Sequence, residues 1–299
     1  MKYKMTPLLY RFIKEAEDKR VAIGHFNISD LSALKAIASA ARDIYDKYHV
    51  LVPVVIGLSE GEADHVGLKN AVCLVQNLRA EGLPIFLNAD HVHSIERLEA
   101  AVRSGFDSAV FDLSEKSLEE NISMTREAVR IAKTLNPMFL MEGEIGHIGG
   151  ASKILESMPE DARIDPELLS RPEEAVRFVE ETGVDLITPA VGNIHGILKN
   201  LPNPDIDINR IASIHKVCHA PLVLHGGSGI RDEEFIRAIY AGISMIHINT
   251  ELRIAWRKGL EAGLAQNPNE IAPYKILPTV EKAVRSVVFE RLKLFNKLV

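Results

Sequence analysis

Short apolar runs alternate with longer amphipathic stretches along the whole chain. "VAIGHFN" (21–27), "LVPVVIG" (51–57), "LPIFLNA" (83–89), "DSAVFDLS" (107–114), "MFLMEGEIG" (138–146), "VDLITPAVG" (184–192), "APLVLHGGSG" (220–229) and "ISMIHINT" (243–250) read as strands. Between them lie stretches with helical periodicity, such as "LSALKAIASAARDIYDKY" (31–48) and "SLEENISMTREAVRIAKTL" (117–135). Ser94 stands as an N-cap before "IERLEAAVRS", and Gly105 stands as its stop. Pro172 and Gly183 bracket a further helix in the same way. Nearly continuous apolar strands between amphipathic helices indicate a parallel sheet covered on its outer face. Eight strand–helix units predict an α/β protein, a (β/α)8 TIM barrel. No G-x-G-x-x-G follows the first strand, which argues against an open dinucleotide-binding sheet.

Residues 146–171 break the rhythm and read as a long, lid-like loop. Residues 278–298 read as a C-terminal helical extension. The organisation expected is one barrel domain over 1–299, because undivided α/β barrels reach this length.

Composition narrows the function. The 299 residues carry 35 Lys and Arg against 41 Asp and Glu, a net charge of −6, which is poor for nucleic acid. A local pocket for an anionic small molecule remains compatible with that balance. Cys73 and Cys218 are far apart, lie among apolar neighbours and read as small core residues of a cytoplasmic protein. The N-terminus lacks a signal-type apolar core, and the longest apolar stretch, near "VLVPVVIGL", is far short of the ~18 residues of a membrane span.

In a β/α barrel the chemistry gathers at the C-terminal ends of the strands. There the sequence offers Asn27; Ser59 and Glu60; Asn88, Asp90 and His91; Asp112 and Ser114; Glu142 and Glu144; Asn193 and His195; His225; then His247, Asn249 and Thr250. A single histidine near a strand end is ordinarily a hydrogen-bonded structural residue. Three on separate strand ends beside an acid point to a metal, since three imidazoles leave zinc an open fourth position. Gly226-Gly227-Ser228-Gly229 can bring backbone N–H groups close to an anion. Thr250 opens a helix, and the loops after the last two strands are where barrels commonly hold phosphate.

Taken in order, "AIGHFNISDL", "ADHVHSIERLEAAVRSGFDSAVFD", "MEGEIGHIGG", "AVGNIHGILK" and "LVLHGGSGI" resemble the class II, zinc-dependent ketose-bisphosphate aldolases, over about residues 5–265. The resemblance implies catalytic zinc on His91, His195 and His225. It implies Asp90 as the acid/base acting on the C4 hydroxyl, with Glu142 near the metal as a ligand of a second or transient site. Asn27, Gly196, Lys199, Gly226, Gly227, Ser228, His247, Asn249 and Thr250 are the implied substrate and phosphate contacts, beside a site for a monovalent cation. The implied reaction is reversible cleavage of a ketose 1,6-bisphosphate, fructose 1,6-bisphosphate first, to dihydroxyacetone phosphate and an aldehyde. The implied assembly is a homo-oligomer, dimer or tetramer.

Three positions depart from the family pattern. Asn88 stands where the family has His, and His247 where it has Asn. Ala151-Ser152-Lys153 replace a loop acid for which Glu156, Glu160 and Asp161 are the nearby substitutes. A metal-dependent sugar-phosphate isomerase or epimerase, and a non-catalytic phosphosugar-binding homologue, stay open as alternatives.

Overall fold

A computed structural model of the chain describes residues 6–158 and 169–298. Its strands are β1 (Ile23–Asn27), β2 (Val54–Ser59), β3 (Ile85–Val92), β4 (Ser108–Phe111), β5 (Leu140–Ile145), β6 (Gly150–Leu155), β7 (Leu186–Pro189), β8 (His195–Leu198), β9 (Leu222–Leu224) and β10 (Ile243–Ile248). The helices are α1 (Leu8–Lys19), α2 (Leu31–Tyr48), α3 (Glu60–Val66), α4 (Leu68–Ala80), α5 (Ile95–Ser104), α6 (Leu118–Leu135), α7 (Pro172–Thr182), α8 (Ile208–Val217), α9 (Asp232–Ala241), α10 (Thr250–Gln266), α11 (Pro273–Ile276) and α12 (Pro278–Phe295). Eight parallel strands close in the order β1-β10-β9-β7-β5-β4-β3-β2. The eight-stranded barrel read from the sequence is therefore present. Among the described residues no helix is long and apolar enough to cross a membrane.

The interior is built in layers, because a strand returns to the same face every second residue. Ile23, Val55, Phe86, Leu140, Leu186, Val223 and Met245 form an apolar floor, plugged from below by Leu9, Ile13 and Ala16 of α1. Two residues further along the same chain segments stand His25, Gly57, Asn88, Glu142, Thr188, His225 and His247. All six side chains in that second set are buried. One step of the pleat thus changes the barrel interior from hydrocarbon to polar groups.

Two expectations need correction. Residues 146–171 are not one loop: β6 runs through them and pairs with β8 in a two-stranded sheet outside the barrel. Ser152 and Lys153 stand in the middle of "GASKIL", so β6 lacks the apolar run by which the barrel strands are visible. Glu160 and Asp161, in the same stretch, lie outside the described residues. Cys73 is exposed on α4 and only Cys218 is buried, so the small-core reading holds for one of the two.

The C-terminal helix α12 packs in the groove between α2 and α10, burying Val280, Val284, Val288, Leu292 and Phe295. Gly259 of α10 permits that approach, since a Cβ there would lie 2.6 Å from the Val280 Cα and 2.8 Å from the Thr279 carbonyl oxygen. Alanine in place of glycine gains up to ~1 kcal/mol of helix propensity, but overpacking against backbone costs ~1–3 kcal/mol. Gly259→Ala is therefore expected to lower the midpoint of urea unfolding; a raised midpoint would mean that α12 yields easily.

Candidate active site

Adjacent residues of a regular strand point to opposite faces, so an undistorted β3 could not aim Asp90 and His91 at one point. The pairing of β3 with β4 shifts register between Ala89 and Val92. His91 takes φ +50° there, a left-handed conformation that costs about 1–2 kcal/mol outside glycine. This local bulge re-aims the side chain. His91 Nε2 lies 3.9 Å from Asp90 Oδ1, and the two groups face one cleft.

His91, His195 and His225 converge, each offering a ring nitrogen within 4.8 Å of the others. His195 does not come from a barrel strand end, as the sequence suggested, but from β8, in the small sheet over the barrel mouth. One nitrogen of each ring is held from behind. Asp112 Oδ2 lies 2.8 Å from His91 Nδ1, the Ile148 carbonyl 3.3 Å from His195 Nδ1, and Glu142 Oε1 2.8 Å from His225 Nε2. The nitrogens left over are Nε2 of His91, Nε2 of His195 and Nδ1 of His225. Such anchoring by a carboxylate or carbonyl is the usual outer partner of a metal-ligating histidine. The donor set therefore fits a divalent cation that favours imidazole, zinc foremost.

Glu142 stands behind this group. Its Oε1 also accepts a 2.6 Å hydrogen bond from Thr188, and it clusters with His225 and His247 rather than with His91 and His195. Glu144 and Asp112 instead form a second group with His91. Several buried atoms here lack hydrogen-bond partners: Asp90 Oδ1, Glu144 Oε2, His225 Nδ1 and both nitrogens of His247. Glu144 Oε2 and His225 Nδ1 are 3.0 Å apart, outside hydrogen-bond geometry.

The electrostatics follow from burial and pairing. Burial pushes the Asp90 carboxyl up, but His91, His247 and His25 outweigh it and hold the group well below the ordinary carboxylate range. Burial lowers His91, yet Asp90 and Asp112 raise it to about 9. His225 is lowered by burial and lifted further by Glu142 and Glu144, ending well above an ordinary imidazole. His195 falls to about 3 through burial and the neighbouring His91 and His225. Glu144 is raised, by burial first and Asp112 second.

A narrow cleft beside these groups brings together Asn27, Asp90, Gly196, Gly226, Gly227, Ser228, His247, Asn249 and Thr250. Gly226 has φ +60°, and a Cβ there would lie 2.3 Å from the Ile194 carbonyl oxygen, so the turn after β9 admits no side chain at that point. The turn is braced from below: Gly229 N donates to Glu251, which Arg291 of α12 pairs at 2.9 Å. Lys199 does not line this cleft; its Nζ pairs with Glu156 at 2.9 Å on the surface. A wider opening of about 620 Å³, lined by His91, Asp112, Glu144, His147 and His195 among others, adjoins it.

Two groups, Glu62 and His25, escaped the sequence reading. Asn27 Nδ2 donates both to Asp90 Oδ2 at 2.8 Å and to Glu62 Oε2 at 2.9 Å. Glu62 in turn accepts from Ser59 N, and its other oxygen pairs with Arg253 at 2.6 Å. The S-x-x-E spacing of Ser59 and Glu62 is a capping box and was the available signal. His25 lies buried inside the apolar run of β1, where nothing in the local pattern marks it.

The family model "Fructose-bisphosphate aldolase class-II" matches residues 9–298. A fructose-bisphosphate aldolase of Geobacillus stearothermophilus is 33% identical over 288 residues, 95% of this chain and 94% of that protein. A 6-phospho-5-dehydro-2-deoxy-D-gluconate aldolase of Shouchella clausii is 36% identical over 296 residues, 98% of this chain and 94% of its own. The crystal structure of the YdjI aldolase from Escherichia coli K12 superposes with a TM-score of 0.77 at 27% identity, covering 97% of each chain. With a family model matched over nearly its whole length, the chain belongs to the class II fructose-bisphosphate aldolases and is an aldolase, a carbon–carbon lyase.

Proposed function

We propose that the protein reversibly cleaves a phosphorylated ketose, with zinc held by His91, His195 and His225 and Asp90 as the group that moves the hydroxyl proton. Enzymes of this family depend on zinc. The observation that carries the reading is the anchoring of one nitrogen on each of three convergent imidazoles, which turns the other nitrogens toward one point. Zinc supplies Lewis acidity, which polarises a ketose carbonyl and stabilises the carbanion-like charge left by carbon–carbon cleavage.

The chain's own residues do the rest. Asp90 is ionised at neutral pH, with Oδ2 fixed by Asn27 and Oδ1 buried beside His247 without a hydrogen-bond partner. It is placed to accept a proton from a substrate hydroxyl during cleavage and return it during condensation. The turn 226–228 and the start of α10 at Thr250 receive one phosphate, with Asn249 and His247 against the carbon chain. Glu142 acts through His225, holding its ring rather than touching substrate.

Fructose 1,6-bisphosphate is the first substrate to test. The Shouchella clausii relative makes 6-phospho-5-dehydro-2-deoxy-D-gluconate the second, because that compound also carries its ketone beside the phosphate-bearing carbon. Cytoplasm is the compartment this chemistry and the two free cysteines suit best.

Cleavage of either compound by purified protein is expected to stop on chelation and return with zinc; cleavage indifferent to chelation contradicts the reading. Asp90→Asn is expected to lower kcat by about 10²–10⁴-fold while retaining bound zinc, and loss of zinc in that variant contradicts the assigned role. Metal uptake carries a pH signature as well. Below about 9 the metal-free His91 is protonated, so zinc competes with a proton and that competition fades as pH rises. Zinc affinity is therefore expected to increase from pH 6.5 to 8.5 with proton release, measured by competition with a chelator; a flat profile contradicts it.

A further inference from the structure

We infer that His25 is a positioning residue: it clamps the His247 ring against His225 and thereby fixes how His247 faces Asp90. The inference rests on the reading of Asp90 as the proton-transferring group, and adds a residue that touches neither substrate nor metal in that reading.

His25 and His247 are register partners across β1 and β10. Their rings stack with centroids 3.5 Å apart and planes 2° from parallel. The other face of His247 packs on His225 at 4.0 Å and 30°. A ring held on both faces cannot rock about its own side-chain bond, and here the held ring keeps Nδ1 3.3 Å from Asp90 Oδ1.

His25 is itself immobilised. Its Nε2 lies 3.2 Å from Asn88 Oδ1, and Asn88 Nδ2 donates to Ser108 Oγ at 2.8 Å. Gly57 on the neighbouring strand leaves the room, since a Cβ there would come within 2.1 Å of His25 Cε1. Fully buried, His25 lines none of the clefts at the barrel mouth. It can act on the chemistry only through its neighbours.

His25, Asp90 and His247 also lie close enough to suggest a metal site of their own. The stacking argues against one. An imidazole binds a metal in its ring plane, and two parallel planes 3.5 Å apart share no point at which one ion could sit about 2.0–2.1 Å from both nitrogens. The arrangement is a brace rather than a ligand pair.

The test separates a flat ring at position 25 from a mere space-filler. His25→Phe keeps a plane against His247 but loses the bond to Asn88, whereas His25→Leu loses both. Should His25→Leu fail to fold, Gly57→Ala displaces the His25 ring from the opposite side. Kinetics on the zinc-loaded protein, thermal unfolding, and the His247 imidazole signals in ¹H–¹⁵N NMR would be followed for each. The expected result is a fall in kcat of about 10–100-fold for His25→Leu or Gly57→Ala, with KM little changed and the His247 signals shifted or broadened. His25→Phe is expected to retain most of kcat and the wild-type His247 signals, even though its thermal stability falls. Activity that follows thermal stability across the variants, or His247 signals unmoved in His25→Leu, would overturn the inference. The NMR arm reads the clamp directly, so a wild-type protein that cleaves no ketose phosphate would count against the proposed function and leave this test standing.

Discussion

The structure depends on a buried polar layer laid directly on an apolar floor. From Ile23 to His25, Leu140 to Glu142, Val223 to His225 and Met245 to His247, two residues of strand separate hydrocarbon from ionisable groups. Burying such groups costs several kcal/mol each unless they are paired. The layer meets part of that demand in two arcs, the first of which combines hydrogen bonds with ring stacking. One runs Ser108–Asn88–His25–His247–His225, and the other joins His225, Glu142 and Thr188. Unpaired atoms remain on Asp90, Glu144, His225 and His247, where an incoming cation and substrate would meet them, and also within the layer on His25 Nδ1 and Glu142 Oε2.

Reaching that point from the rim takes irregular backbone. The bulge at His91 breaks the alternation of β3 so that acid and imidazole serve one cleft. The small sheet of β6 and β8 brings His195 in from outside the barrel, and Gly226 lets the turn after β9 pass against the backbone that precedes His195. Support comes from far along the chain: Arg291 of α12 holds Glu251, which holds Gly229. The C-terminal helix is thereby tied to the glycine-rich turn 226–229 as well as to the hydrophobic packing around it. Family membership favours carbon–carbon cleavage over the isomerase and the sensor left open by the sequence.

The barrel was legible because its strands are buried on both faces and so appear as nearly continuous apolar runs. Most of the residues at the mouth were legible for a related reason, since a polar side chain at the end of such a run has no packing role. What stayed hidden depends on contacts between distant segments. β6 is recognisable only once β8 lies beside it. His195 reads as a strand end until the small sheet removes it from the barrel. His25 sits at an inward position of β1, and its partners Asn88 and His247 are distant in sequence and adjacent only in the closed barrel. Lys199 was a phosphate contact only by the family resemblance, and in the structure its ammonium pairs with Glu156.

The proposed chemistry requires one point in space at which three imidazoles would hold a metal. Crystals of the zinc-loaded protein, measured on both sides of the zinc absorption edge, locate that point without reference to any substrate. The expected result is one strong anomalous peak within bonding distance of His91, His195 and His225, with Asp112, the Ile148 carbonyl and Glu142 still behind the rings. A peak centred elsewhere, or full zinc occupancy with one of those three rings turned away, would contradict the central claim.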